Sequence, residues 1–142
     1  MATTPIFAYV GTYTQKYGHV DGKGEGIYVF AYNPTDGSME LASVASPIVD
    51  PAYLSIAPNQ RFLYAVNEAP ELDGVPGGGV SAFAVDRQSG SLTLLNRQPA
   101  HGAFPCFVTV DATSSLVVVV NHDGGNTVGY PIEADGSLVP AN

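Results

Sequence analysis

The chain has 142 residues, 45% of them hydrophobic and 13% charged, which is enough apolar material for a packed core and too little charge for a disordered chain. Its net charge of −8, from 13 acidic and 5 basic residues, repels a phosphate backbone and sets nucleic-acid binding aside. One cysteine, Cys106, excludes an intrachain disulfide and fits a reducing compartment; with neither a membrane-length apolar run nor a basic, long apolar leader in MATTPIFAYV, no membrane association is expected and the cytoplasm is the expected location.

Short β-strands are predicted along the whole length. Ile6–Val10 comes first, then a Gly-rich loop over Thr12–Glu25, then Ile27–Tyr32 and Met39–Ala45 joined through Asp36-Gly37. A second set follows: Ala52–Ala57, Phe62–Val66, Val80–Asp86 and Leu92–Asn96, with a long loop Asn67–Gly79 and a Ser89-Gly90 turn. The third set is Cys106–Asp111, Leu116–Val120, Thr127–Ile132 and Leu138–Pro140, with an Asp135-Gly136 turn. Leu116–Val120 is apolar on both faces and is expected to be buried on both sides. No stretch sustains a 3.6-residue period, so helices should be few.

These sets are copies of one unit. Pro51-Ala-Tyr-Leu-Ser-Ile-Ala57 aligns with Pro105-Cys-Phe-Val-Thr-Val-Asp111 at an offset of 54, and Asn67 aligns with Asn121 at the same offset. The turn glycines Gly37, Gly90 and Gly136 mark the unit three times, at spacings of 53 and 46. The shorter spacing reflects residues missing from one loop, around Pro70–Gly79, while the strands keep their places. If each unit is called strands A to D, the first copy lacks strand A. Four-stranded units repeated around an axis describe a β-propeller. The fold expected is therefore all-β: strands B–D over residues 6–45, a second blade over 52–97 and a third over 106–140 in one domain, 1–142. A β-sandwich of this length is the alternative, but it has no need of a repeat. About two and three-quarter blades are too few for a closed ring of ~4–8 blades. Further blades of the same protein, or further copies of the chain, are expected to cover the two open blade faces.

Val10-Gly-Thr-Tyr-Thr14, Gly26-Ile-Tyr-Val-Phe30, Leu63-Tyr-Ala-Val-Asn-Glu68, Gly79-Val-Ser-Ala-Phe83 and Pro105-Cys-Phe-Val-Thr-Val-Asp111 resemble the opening blades of the seven-bladed lactonase family. This family contains the bacterial 6-phosphogluconolactonases and the fungal carboxymuconate cyclases. The resemblance implies a seven-bladed ring that hydrolyses a sugar-acid lactone, with no cofactor. A Pro-Cys-His segment of the family reads Pro105-Cys106-Phe107 here, and Val-Ala-Asn-Tyr reads Val119-Val-Asn-His122. Two other functions stay open beside the lactonase: a non-catalytic propeller used as a binding scaffold, and a carboxymuconate-type cyclase.

In a propeller the B–C and D–A loops share one end of the blades, and long loops on a rigid scaffold carry binding residues. That end is expected to hold Thr12, Tyr13, Asn67, Glu68, His101, Asn121, His122 and Asp123. Lactone hydrolysis needs a base and oxyanion donors. Glu68 and His122 are the catalytic candidates; Tyr13, Asn67, His101, Asn121 and Asp123 are candidates for holding the lactone. Each has a plainer alternative: Glu68 as a cap on loop amides, His122 as a solvated loop residue, and Asn67 and Asn121 as ties between loop and strand. Cys106 reads as a buried inert thiol and His19 as solvated. Arg61 and Arg87 fall at the opposite end, leaving Lys16 and Lys23 to meet a phosphate. Gly22–Gly26 lacks the strand–loop–helix setting of a phosphate loop, Tyr32 stands where a calcium loop from Asp21 would need an acid, and no His/Cys cluster has zinc spacing, so no metal is expected.

Overall fold

A computed structural model describes residues 4–141; Met1–Thr3 and Asn142, which the sequence places in the same domain, lie outside the described residues. All its regular elements are strands. The first sheet is β1 (Ile6–Val10), β4 (Ile27–Tyr32) and β5 (Met39–Ala45), ordered β1-β4-β5. Between β1 and β4 stands a small hairpin, β2 (Lys16–Tyr17) with β3 (Val20–Asp21). The second sheet holds β6 (Leu54–Ile56), β7 (Phe62–Asn67), β10 (Gly79–Val85) and β11 (Leu92–Pro99), paired antiparallel in chain order. Its own small hairpin is β8 (Glu71–Leu72) with β9 (Val75–Pro76). The third sheet is β12 (Pro105–Val110), β13 (Leu116–Asn121) and β14 (Asn126–Pro131).

The structure departs from the sequence prediction in three places. The loops Thr12–Glu25 and Asn67–Gly79 are hairpins at their tips. In the second, Asp73-Gly74 turns the chain with φ of 52° and 77°, the backbone of a two-residue hairpin turn. The predicted strand Leu138–Pro140 shrinks to a single bridge between Ile132 and Leu138. Its backbone is taken instead by the second sheet: Leu138 N–H donates to Asn96 Oδ1 (2.9 Å), and the Leu138 carbonyl accepts from Asn96 Nδ2 (2.8 Å) and Gln98 Nε2 (2.9 Å). Finally, β13 is buried on one face only. Val117 and Val119 are fully buried, whereas Leu116 is 37% exposed, because the other face has no neighbouring sheet among the described residues.

β7 shows what burial on both faces looks like. Strand side chains alternate between the two faces. Leu63 and Ala65 pack toward the first sheet with Ile27, Phe83 and Tyr9. Phe62, Tyr64 and Val66 pack toward the third sheet with Val108, Val117, Val119 and Tyr130. One strand thus belongs to two cores. The matching outer face of the first sheet stays open, with Ile6, Met39 and Leu41 about half exposed.

The sheets are joined by the same contact twice. Phe7 and Tyr9 lie opposite Ala31 and Val29, and Phe62 and Tyr64 lie opposite Ala84 and Ala82, at equivalent registers of β1 and β7. Tyr9 Oη donates to the Gly90 carbonyl and Tyr64 Oη to the Gly136 carbonyl, each at 2.9 Å. The Phe ring two residues earlier lies flat against that glycine: a Cβ would come within 2.6 Å of Phe7 at Gly90 and 2.2 Å of Phe62 at Gly136. Both glycines have positive φ, 74° and 92°, which tight C–D turns require. The C–D turns of the second and third sheets are therefore each clasped by the B strand of the sheet before them.

This clasp predicts unequal costs for glycine substitutions. Gly125 has φ of 59° with open space around its Cβ position, so Gly125→Ala costs only backbone strain, about 1 kcal/mol. Gly136→Ala adds a clash with a packed ring and is expected to cost about 3 kcal/mol or more. Tyr64→Phe, losing one buried hydrogen bond, is expected to cost about 1–2 kcal/mol. Urea titrations of the three variants check the ranking.

Candidate functional site

Register fixes which residues share the B–C end. Counting four positions beyond Tyr9, Tyr64 and Val118, which face Val29, Ala82 and Gly129, reaches Tyr13, Glu68 and His122. These three leave successive sheets at the same level. The backbone under the last two is the same. Glu68 N–H donates to the Asp50 carbonyl (3.0 Å), and His122 N–H to the Phe104 carbonyl (2.9 Å). Asp50 and Phe104 each precede a proline and hold positive φ, 38° and 52°.

The structure brings together two of the predicted residues. Tyr13 Oη donates to Glu68 Oε2 at 3.0 Å, across the boundary between the first and second sheets. Burial, then the Glu68 hydrogen bond and charge, push the Tyr13 phenol up to about 12, so it stays a neutral donor throughout the physiological range. Glu68 is half-buried and open to solute.

One further residue of this cluster escaped the sequence reasoning. Asp50 is fully buried. Its Oδ1 accepts the Thr14 N–H (2.6 Å) and the Gln15 N–H (3.0 Å), and its own N–H donates to Thr14 Oγ1 (3.1 Å). Its Oδ2 is buried as well. Burial, and after it hydrogen bonding to the Asp50 carboxylate and that group's charge, raise the Tyr17 phenol. The edge of that ring meets Phe104 at 6.0 Å. Asp50 follows a hydrophobic stretch and precedes a proline, which reads as a turn aspartate, so nothing in its local sequence announced it.

The other predicted residues are placed elsewhere. Asn67 and Asn121 are buried and cannot touch a solute, which corrects their assignment to substrate binding. Asn67 Nδ2 donates to the Val49 carbonyl (2.7 Å) and its Oδ1 accepts the Ser81 hydroxyl (2.7 Å). Asn121 Nδ2 donates to the Ala100 carbonyl (2.7 Å). Both tie the segment entering strand A to the end of strand B. His122 and Asp123 are exposed and pair with each other, Nδ1 to Oδ1 at 3.0 Å. His101 is exposed beside Thr127, Val128 and Ala141 in a hollow of about 290 Å³ on the third sheet, and does not join the Tyr13–Glu68 pair. Of the basic residues at this end, Lys23 pairs with Asp21 (2.9 Å) and Arg97 with Asp73 (3.2 Å).

An aromatic pair also lies here. Tyr53 and Phe107, at equivalent positions of the second and third sheets, stand 5.0 Å apart with rings tilted by 52°, where β6 and β12 pack together. Both are partly exposed. A hollow of about 480 Å³ lies apart from this cluster, between Ile6, Phe7 and Tyr9 of the free β1 edge and Ile56, Gln60 and Arg87.

The family model for the seven-bladed β-propeller lactonases matches residues 7–142. The chain belongs to this family. The 6-phosphogluconolactonase of Bacillus subtilis (strain 168) is 36% identical over 135 residues, which cover 95% of this chain and 36% of that protein. A Bacteroides fragilis crystal structure, assigned as a 6-phosphogluconolactonase, superposes with a TM-score of 0.83 at 36% identity, covering 97% of this chain and 35% of that one. The periplasmic gluconolactonase of Pseudomonas aeruginosa superposes with a TM-score of 0.81 at 30% identity, over 96% and 37% of the two chains. This lactonase-family chain therefore spans about a third of the length of its relatives. The three sheets are a partial propeller of that fold, and no helix among the described residues is long and apolar enough to cross a membrane.

The roles of the two asparagines are open to direct measurement. Asn67→Ala strands the Val49 carbonyl and the Ser81 hydroxyl, and is expected to cost about 2–4 kcal/mol in chemical denaturation. Asn67→Asp retains the acceptor for Ser81 but sets a carboxylate oxygen against the Val49 carbonyl in a buried site, and is expected to cost at least as much as Asn67→Ala.

Proposed function

We propose that this chain supplies one part of a lactonase site, hydrolysing a sugar-acid lactone of the 6-phosphogluconolactonase type. The observation that carries this is the Tyr13–Glu68 pair, held at matching ends of adjacent sheets in a chain of this family. Glu68 is the general base. A water oxygen attacks the lactone carbonyl carbon as its proton passes to Glu68. The carbonyl becomes an oxyanion, which collapses with rupture of the bond to the ring oxygen. The proton returns to that oxygen, and the product is an open hydroxy acid. The neutral Tyr13 phenol occupies Oε2 and turns the other carboxylate oxygen toward the water. Lys23 and Arg97 are paired with acids, which leaves Lys16 as the basic side chain of this end for a phosphate; donors for the oxyanion, and the rest of the grip on a phosphate, come from sheets beyond the three described.

The same proposal includes the rest of the ring. Further sheets, from the same polypeptide or from other copies, cover the open faces of the first and third sheets. The lone Cys106 and the 6-phosphogluconolactonase relative both favour the cytoplasm, and the periplasmic relative from Pseudomonas aeruginosa makes the periplasm the alternative. Cell fractionation decides between them.

The native protein is expected to hydrolyse 6-phosphogluconolactone or gluconolactone faster than the spontaneous rate, followed by pH-stat. Glu68→Gln should lower kcat by about 10²–10⁴-fold. Between pH 5 and 9 no alkaline limb should arise from Tyr13, since its phenol titrates only near 12. Full activity of Glu68→Gln removes Glu68 from catalysis. A native ring with no activity above background on either lactone is a binding scaffold instead, and activity only on a carboxymuconate is the cyclase.

A further inference from the structure

We infer that Asp50 is a positioning residue that sets Tyr13 and Glu68 in register across the boundary between the first and second sheets. The inference rests on the proposal that Glu68 is the base. Its substance is geometric. Asp50 holds both members of the pair through different atoms. Its side-chain Oδ1 takes the N–H groups of Thr14 and Gln15, the two residues directly after Tyr13, at 2.6 and 3.0 Å. Its main-chain carbonyl takes the N–H of Glu68 itself at 3.0 Å. Thr14 closes the arrangement, donating its hydroxyl to the Ile48 carbonyl (3.1 Å) and accepting the Asp50 N–H (3.1 Å). One residue thus fixes the loop that carries the phenol and the strand end that carries the carboxylate.

The repeat supplies an internal control. Phe104 occupies the same place in the third sheet, with left-handed φ of 52° before a proline and a carbonyl that accepts the His122 N–H at 2.9 Å. The backbone arrangement forms there without a carboxylate. The Asp50 side chain is therefore not required by the architecture of the repeat. What differs is the neighbour: only at Asp50 does a loop of the preceding sheet bring in a residue that bonds to the strand-end acid. Burying a carboxylate is costly, and Asp50 is fully buried. An aspartate kept at such a place, where a phenylalanine satisfies the same backbone, points to a task in holding the Tyr13 loop.

The test uses the native protein and a lactone it hydrolyses, with kcat, KM and melting temperature measured for Glu68→Gln, Tyr13→Phe, Asp50→Ala, Asp50→Asn and the double variant Tyr13→Phe with Asp50→Ala. Asp50→Ala is expected to lower kcat about tenfold or more with little change in KM, a loss typical of a misplaced catalytic group. Asp50→Asn keeps an oxygen at Oδ1 and should restore kcat to within about threefold of the natural enzyme. Because Asp50 acts through Tyr13, the double variant should be no slower than the worse single variant by more than about twofold. Losses that multiply in the double variant, or an Asp50→Ala enzyme that melts earlier yet turns over normally, overturn the inference. Should Asp50→Ala fail to fold, Asp50→Asn carries the test alone, and a tenfold loss of kcat at unchanged melting temperature overturns it. An unimpaired Glu68→Gln enzyme would instead sink the proposal about the base, a result separate from any Asp50 outcome.

Discussion

The arrangement of the sheets depends on one contact, the grip of a B strand on the C–D turn of the next sheet. A phenylalanine ring covers a glycine that has no side chain to resist it, and a tyrosine hydroxyl takes that glycine's carbonyl. The two halves of the contact need each other. Positive φ makes glycine the residue of choice for the turn, and the absent Cβ is what lets the ring approach. The hydroxyl then satisfies a carbonyl that burial would otherwise leave costly. Because the ring and the hydroxyl come from residues two apart on one face of a strand, their spacing sets the level at which neighbouring sheets meet. The Tyr13–Glu68 pair depends on that level. If the second sheet slid along the first by one residue, the strand ends would separate by about 3.3 Å and the phenol would lose the acid.

The middle sheet gains most from this scheme. β7 is buried along its whole length because each face meets a different sheet, and its odd and even residues belong to two separate cores. Glu68 follows the last residue of that strand, so the candidate base stands at the end of the most buried strand described. Tyr13 stands on a loop, which is the more mobile kind of support. The hydrogen bonds around Asp50 are concentrated where that disparity needs them. Asn67 does comparable work one residue before Glu68, tying the strand end to the Val49 carbonyl and to Ser81.

The fold was legible in the sequence because the repeat is written in strong signals. Turn glycines, paired prolines and β-branched runs recur in the same order, with only one loop changing length, and each has a local physical cause. Leu138 was misjudged because its fate is not local: the amides of Asn96 and Gln98, some 40 residues earlier, compete for its backbone. The hairpin at Asp73-Gly74 was legible and passed over, since a long loop conceals a turn signal that would be plain between two long strands. The site was legible in part. Tyr13 and Glu68 were named from loop position, but their contact lies across a sheet boundary, 55 residues apart, and only the register of two separate sheets brings them together. Asn67 and Asn121 were named for the same reason and proved to be buried ties. Position at a loop end does not tell which way a side chain turns.

A repeat protein offers an unusual way to separate scaffold from function. Where the backbone of two sheets is held by the same bond, as at Glu68 and His122, a difference in side chain at equivalent positions is not explained by the backbone. Tyr13, Glu68 and His122 stand at one such level, and their chemistry differs completely: a phenol, a carboxylate and an imidazole. One position below, Asn67 and Asn121 are identical, and each donates its amide to a backbone carbonyl of the segment entering strand A, Val49 in one case and Ala100 in the other. The contrast has a physical basis. The buried position of the second and third sheets must satisfy a backbone carbonyl, and an amide donor serves both. The position facing solvent meets no such demand and is free to differ. Asp50 departs from this pattern: it is fully buried, yet its counterpart Phe104 is a different and partly exposed residue, and that is why the aspartate needs an explanation that the scaffold alone does not give. The Tyr13 loop supplies it, because the demand for a side-chain oxygen comes from two loop amides that no other sheet described here presents to its neighbour.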